Sequence, residues 1–163
     1  MKKPKVTVCI PTYSRANLLK DALRSVLSQD YEDFEIVICD DHSTDHTMNV
    51  VKSFKDKRIR YIKNETNLGQ FRNINKCIDL ARGEYVIIFH DDDIMLNGLL
   101  KKEAQILDKH SNVGIVAPAY YVVDYHGRIL SKRKKLFSWA LQGFLGKRSF
   151  LLSRVRKISA KQV

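Results

Sequence analysis

Hydrophobic and polar positions alternate in blocks along this chain, and the blocks predict elements. Val6-Thr7-Val8-Cys9-Ile10 reads as a buried strand ended by Pro11. Leu18, Leu19, Ala22, Leu23, Val26 and Leu27 then recur at helical spacing, with Ser14 expected as the helix cap. Phe34 to Cys39 predicts a second strand, and Asp40 to Thr47 turns into a helix carrying Met48, Val50, Val51 and Phe54. Ile59 to Ile62 predicts a short strand. Leu68 to Ala81 predicts a helix with Ile74, Cys77, Ile78 and Ala81 on one side, punctuated by Gly83. Tyr85 to Phe89 is a fully apolar strand, Leu96 to Leu107 a helix, and Val113 to Ala117 a further strand.

Strand and helix thus alternate four times with short connections. That order predicts an α/β protein, three layers with a mostly parallel central sheet between helices. Ligands of such sheets bind outside the carboxyl ends of the strands. The residues that follow each strand are polar there: Pro11-Thr12-Tyr13-Ser14-Arg15, Asp40-Asp41-His42-Ser43, Asn64 to Gly69, and His90-Asp91-Asp92-Asp93.

Composition adjusts this reading in two places. At 163 residues and 44% hydrophobic, the chain suits one ordinary domain. The net charge of +11 is unevenly placed. All 18 Asp and Glu lie at or before Asp124, matched there by an equal number of Lys and Arg, so the excess follows Asp124. The expected division is therefore a ligand-binding domain over 1–124 and, over 125–163, a basic tail or the start of an acceptor-side region. Such a tail suits an anionic membrane surface or simple solvation; no specific nucleic acid is expected. No apolar run is long enough to span a bilayer and no signal peptide is recognisable, so a cytoplasmic location is expected, with peripheral contact at the inner membrane face through 125–163 left open. Cys9, Cys39 and Cys77 sit in apolar contexts without CxxC spacing and read as reduced core thiols.

The chemistry concentrates at the strand ends. Three consecutive aspartates after an apolar strand oppose each other's ionisation. A divalent cation with hard oxygen preferences, Mg²⁺ or Mn²⁺, relieves that conflict and can bridge a diphosphate. The competing reading is a polar loop whose acids suit the next helix dipole. Of Asp40 and Asp41, one is expected to face the crevice and accept hydrogen bonds from a base or ribose, while Ser43 or Thr44 caps the following helix. Arg15 and Arg72 are candidate phosphate or base contacts. Gly69 is expected to allow close backbone approach. His42 and His46 lack zinc-site spacing. Without a Walker A loop or a GxGxxG, a P-loop NTPase or a standard dinucleotide dehydrogenase is disfavoured.

Taken together these residues resemble glycosyltransferase family 2, enzymes of the GT-A fold. Val8 to Arg15 is similar to the family's opening strand and turn, and Ser25-Val26-Leu27-Ser28-Gln29 to the end of its first helix. Ile36 to Thr47, then Asn67-Leu68-Gly69 with Arg72-Asn73 and Ala81 to Tyr85, resemble its second and third signatures, and His90-Asp91-Asp92-Asp93 stands at its DXD metal motif. The resemblance covers about residues 5 to 118.

It implies metal-dependent, inverting transfer of a sugar from a nucleotide diphosphate, most simply a UDP-sugar, to a glycan or lipid-linked acceptor in polysaccharide or cell-surface glycan synthesis. By position it implies Asp41 at the base, Pro11, Thr12, Tyr13 and Arg15 lining the nucleotide pocket, and Gly69 and Arg72 near base and phosphates. Asp91 falls by ribose or sugar, with Asp92 and Asp93 as metal ligands. His90 stands where the family often has Asp, so a register of Asp91-x-Asp93 remains open. No Asp or Glu follows Asp124, so the catalytic-base carboxylate usual in the acceptor half is unassigned, and little transfer is expected from this chain alone. The alternative is a non-catalytic nucleotide-sugar-binding or interaction module acting through its basic tail.

Overall fold

The computed structural model describes residues 3–124, 126–133, 149–152 and 156–157. Residues 6–109 repeat strand and helix: β1 (Val6–Thr12), α1 (Ala16–Leu27), β2 (Phe34–Asp40), α2 (Thr47–Ser53), β3 (Ile59–Lys63), α3 (Gln70–Asp79), β4 (Tyr85–Ile88) and α4 (Leu99–Lys109). Strands β5 (Ile115–Val116), β6 (Tyr120–Val123), β7 (Ile129–Arg133), β8 (Ser149–Leu152) and β9 (Arg156–Lys157) follow.

The main sheet runs β3-β2-β1-β4-β8-β5, and every pairing in it is parallel. The α/β expectation therefore holds. A smaller sheet, β7-β6-β9, stands apart from it.

The two faces of the main sheet follow from the period of two along each strand. Val6, Val8 and Ile10 of β1, Ile36 and Ile38 of β2, and Ile87 of β4 pack with Leu19, Leu23 and Val26 of α1 and Leu100, Ala104 and Leu107 of α4. The alternate residues Cys9, Val37, Cys39 and Val86 pack with Cys77 of α3 and Ala81. Each Val, Leu and Ile among them contributes roughly 1.5–3 kcal/mol when fully buried. Strands buried on both faces read as continuous apolar runs, which is why β2 and β4 stand out in the sequence. The three thiols are buried and unbridged, as expected.

Several boundaries differ from the periodicity, each for a visible reason. Ser14 does not cap α1; its backbone is left-handed at φ 50°. Instead Asp45 of the next loop accepts from the Ala16 N–H at 3.1 Å, and its other oxygen accepts from the Thr47 N–H at 3.0 Å. One aspartate thus serves the first turns of α1 and α2, and neither Ser43 nor Thr44 caps α2. Helix α3 starts at Gln70 and not Leu68, because the Leu68 and Gly69 N–H groups turn to Asp41. Helix α4 starts at Leu99 and not Leu96. Gly98 before it is left-handed at φ 77°, and Gln29 Oε1 accepts from the Leu99 N–H at 3.1 Å. Gly83 is required by contact: a Cβ there would lie 2.6 Å from the Thr7 nitrogen.

Residues 125–163 are not wholly outside the fold. Strand β8 inserts between β4 and β5, so the charge boundary at Asp124 is not an edge of the main sheet. Most of the expected basic tail, Trp139 included, lies outside the described residues. Among the described residues, no helix is long and apolar enough to cross a membrane.

Candidate nucleotide-sugar site

The carboxyl ends of β1, β2 and β4 open onto a cavity of about 410 Å³, within the range usual for small-molecule sites. Pro11, Thr12, Tyr13, Arg15, Asp41, Asn67, Gly69, Gln70, Asn73, His90 and Asp91 line it. Seven of the residues singled out from sequence are therefore on one wall system: Pro11, Thr12, Tyr13, Arg15, Asp41, Gly69 and Asp91. Arg72, Asp92 and Asp93 are not among them. Arg72 is exposed on the first turn of α3, and Asp92 meets the cavity through Arg15. Asp93 is 1% exposed and is held within the interior.

On one side stands Asp41, the first residue past β2. Its Oδ1 accepts from the Leu68 N–H at 2.7 Å and from Asn64 Nδ2 at 2.9 Å, and its Oδ2 accepts from the Gly69 N–H at 2.9 Å. Asp40, its neighbour, points the other way: it accepts from the Ser43 N–H at 2.7 Å and from the Tyr61 hydroxyl. Burial, with the Asp40 carboxylate beside it, raises the Tyr61 pKa and keeps that hydroxyl a donor. The division of labour expected of the pair is thus present, with Asp41 on the cavity side. Gly69 has φ 82° and ψ 158°, a conformation essentially reserved for glycine. A Cβ there would meet nothing within 4 Å, so backbone conformation and not crowding requires the glycine.

On the other side Asp91 follows β4. Its Oδ2 accepts from Thr12 Oγ1 at 2.7 Å, and its Oδ1 accepts from Arg15 Nη1 at 3.3 Å. The same Nη1 reaches Asp92 Oδ2 at 3.4 Å. Burial raises the Asp91 pKa; Thr12 and Arg15 act against that, and the Asp92 charge adds to it. The loop beyond is fixed from α1. Ser25 Oγ accepts from the Met95 N–H at 2.9 Å, and Gln29 Nε2 donates to the Leu96 carbonyl at 3.1 Å. Ser25 and Gln29, at the end of that helix, thus hold the loop that follows β4.

The residues fit a hard divalent cation. A single cationic nitrogen already stands within 3.4 Å of carboxylate oxygens from both Asp91 and Asp92. Among the described residues no group of three or more His, Cys, Asp and Glu gathers as a ligand set. Such a site suits Mg²⁺ or Mn²⁺, which takes one or two carboxylates and completes its shell from phosphates and water. The carboxylates that share a cation are Asp91 and Asp92. Of the pair expected from sequence, Asp92 and Asp93, Asp93 is buried, and its N–H returns to the His90 carbonyl at 3.2 Å.

Asn67, Gln70, Asn73 and His90 line the cavity but escaped the sequence reading as site residues. Gln70 follows a glycine whose unusual backbone places it on the wall, which no local pattern shows. His90 was legible only as a departure from the acidic motif.

Comparisons with known proteins identify the family and the fold. The family model described as glycosyl transferase family 2 matches residues 7–158. A glycosyltransferase of Methanocaldococcus jannaschii, itself uncharacterized, is 34% identical over 138 residues, 82% of this chain and 48% of that protein. The GalNAc(5)-diNAcBac-PP-undecaprenol beta-1,3-glucosyltransferase of Campylobacter jejuni is 41% identical over 100 residues, 60% of this chain and 32% of that protein. Among solved structures, S. aureus TarS in complex with UDP is similar with a TM-score of 0.63 and 30% identity, covering 76% of this chain and 37% of that one. The mannosyltransferase PcManGT from Pyrobaculum calidifontis, in complex with GDP-Man and Mn²⁺, is similar with a TM-score of 0.58 and 25% identity, covering 76% of this chain and 36% of that one. The chain spans half or less of the length of these proteins. An apolar parallel sheet that ends in two opposed acidic loops around one cavity, matched over nearly its whole length by one family model, makes this chain a member of glycosyltransferase family 2.

Proposed function

We propose that this chain binds a UDP-sugar together with Mn²⁺ or Mg²⁺ and presents it for transfer to a glycan or lipid-linked acceptor in cell-surface polysaccharide synthesis. The observation that carries the reading is the opposition of Asp41 and Asp91 across one cavity. Asp41 offers a fixed acceptor suited to a base. Asp91 and Asp92, already sharing a cation through Arg15, suit a metal-bound diphosphate. Bound there, the metal supplies neutralisation of charge on the leaving diphosphate.

Thr12 holds the Asp91 carboxylate in place, and Arg15 is free to exchange that carboxylate for a phosphate oxygen, the bidentate chemistry arginine favours. Tyr13 exposes half of its ring at the cavity mouth, where a base can stack on it. Each acid on this rim is engaged in binding, and no base for the acceptor hydroxyl is assigned within the chain. Transfer by this chain alone is therefore expected to be negligible, with slow donor hydrolysis at most.

Calorimetric titration of UDP with and without Mn²⁺ tests the reading. Binding that strengthens with Mn²⁺ and is lost in Asp91→Asn supports it. Binding indifferent to both overturns it. Robust sugar transfer by this chain would show that it holds its own base.

A further inference from the structure

On the metal side Asp91 is held more firmly than the cation it shares. Thr12 Oγ1 donates to Asp91 Oδ2 at 2.7 Å. Arg15 reaches Asp91 and Asp92 with one nitrogen, at 3.3 and 3.4 Å. Both contacts are longer than the roughly 2.7–2.9 Å of a firm charge-assisted hydrogen bond. The Asp91 and Asp92 side chains are 7% and 20% exposed, against 53% for Arg15. Among the described residues the other two guanidinium nitrogens have no hydrogen-bond partner. The two-pronged contact that arginine favours with a carboxylate is therefore unused.

The backbone beneath Arg15 is fixed. Its carbonyl accepts from the Leu19 N–H at 3.0 Å, and Asp45 holds the next N–H, that of Ala16, at 3.1 Å. The guanidinium can thus swing on its long side chain without moving the loop. Where it stands decides what the acidic pair accepts. Two neighbouring carboxylates attract a free divalent cation. A guanidinium already between them opposes that cation by charge and by filling acceptor positions. A diphosphate changes the balance. It offers Arg15 several oxygens and more negative charge than one carboxylate does.

We propose that Arg15 is a placeholder cation: it stands between Asp91 and Asp92 until a diphosphate draws it away, and so makes the acidic pair selective for a divalent cation that arrives with the nucleotide over the same cation alone. This rests on the nucleotide and metal reading given above and adds a selectivity to it. Arg15 then acts with opposite sign on the two ligands. It weakens binding of the free cation and strengthens binding of the nucleotide. A residue that merely held the two carboxylates in place would strengthen both.

The experiment measures Mn²⁺ binding without nucleotide, from the electron paramagnetic resonance signal of the free ion, and UDP binding at saturating Mn²⁺ by calorimetry. The chains are the wild type, Arg15→Met, Arg15→Gln and Lys20→Met, the last an equal loss of charge at an exposed position of α1. Thermal melting is followed in parallel. Arg15→Met should bind Mn²⁺ alone about fivefold more tightly, the scale of an exposed ion pair. It should bind UDP at saturating Mn²⁺ about tenfold more weakly, the scale of one hydrogen bond to a charged group. Arg15→Gln should act alike, and Lys20→Met should change neither. Mn²⁺ binding that is unchanged or weaker in both Arg15 variants overturns the proposal, as does UDP binding that they leave unaltered. Equal tightening of Mn²⁺ by Lys20→Met also overturns it, since net charge would then suffice. A wild-type chain that binds no UDP overturns the nucleotide reading itself. UDP binding by the wild type, with no gain in Mn²⁺ affinity on losing Arg15, overturns only the placeholder.

Discussion

The two sides of the cavity solve the problem of a buried carboxylate in different ways. Asp41 is surrounded by donors at 2.7–2.9 Å, two from backbone and one from Asn64, and needs no cation. Asp91 has one close donor, Thr12 at 2.7 Å, and shares Arg15 with Asp92 at 3.3 and 3.4 Å. The first side is fixed before any ligand arrives. The second is short of positive charge, and burial raises the Asp91 pKa accordingly. Preformed donors suit recognition of a base. An undersupplied acidic pair suits a site completed by a metal and phosphates, whose arrival supplies the missing charge. Glu103 on α4 shows the limit of the series. It is 2% exposed, and among the described residues neither oxygen has a hydrogen-bond partner. Burial alone pushes its pKa up to about 8.

Breaking the metal side should have the largest effect on ligand binding. Asp91→Asn is expected to weaken Mn²⁺-dependent UDP binding by roughly 100-fold, the scale for removing one member of a desolvated charged contact. Asp93→Asn should change it far less, and the reverse order by calorimetry would return the metal to the Asp92-Asp93 pair.

Breaking the preformed side should instead cost stability. Asp41→Ala strands the Leu68 N–H, while the Gly69 N–H keeps Asn67 and the Asn64 amide keeps Asn73, at about 1–3 kcal/mol in chemical denaturation. An unchanged midpoint would mean that the Leu68-Gly69 turn stands without Asp41.

Glu103→Leu removes a buried carboxyl that has no hydrogen-bond partner among the described residues. Below the unfolded value of about 4.5 the group is protonated in both states, so ionisation makes no difference there. Between about 4.5 and about 8 the native state holds more protons than the unfolded one, so stability falls as pH rises. The variant should therefore gain on the wild type with rising pH, by on the order of 4 kcal/mol at pH 8.5 relative to pH 4. A pH-independent difference would mean that Glu103 is solvated.

The smallest effect is expected at Gly69→Ala. Its backbone conformation costs an L-residue about 1–3 kcal/mol, while the space around it is open. A neutral result in denaturation would show that the turn relaxes, and UDP affinity would then report whether Asp41 follows it.

The parallel sheet and the positions of its rim loops were legible because burial on both faces leaves continuous apolar runs, each ended by a polar cluster. The division between Asp40 and Asp41 was legible as a division, and the sheet contact of Gly83 was not. Element starts were misread where distant groups took over capping. Asp45 does so for α1 and Gln29 for α4, and both lie far from the turns they serve. Strand β8 was invisible because its place in the sheet depends on β4 and β5 and not on its own pattern.

By itself the sequence determined which segments are strands, which loops share an edge, and that acids and glycines concentrate there. Periodicity and composition are local properties, and the crossover rule for parallel sheets extends them to one rim. Only the tertiary structure decided which carboxylate faces the cavity. Asp91, Asp92 and Asp93 are adjacent and chemically identical along the chain. Their difference arises from a turn that buries Asp93, and from Thr12 and Arg15, brought from 76 to 79 residues away. Sequence supplies the charges, and long-range contacts set the solvation that distinguishes them.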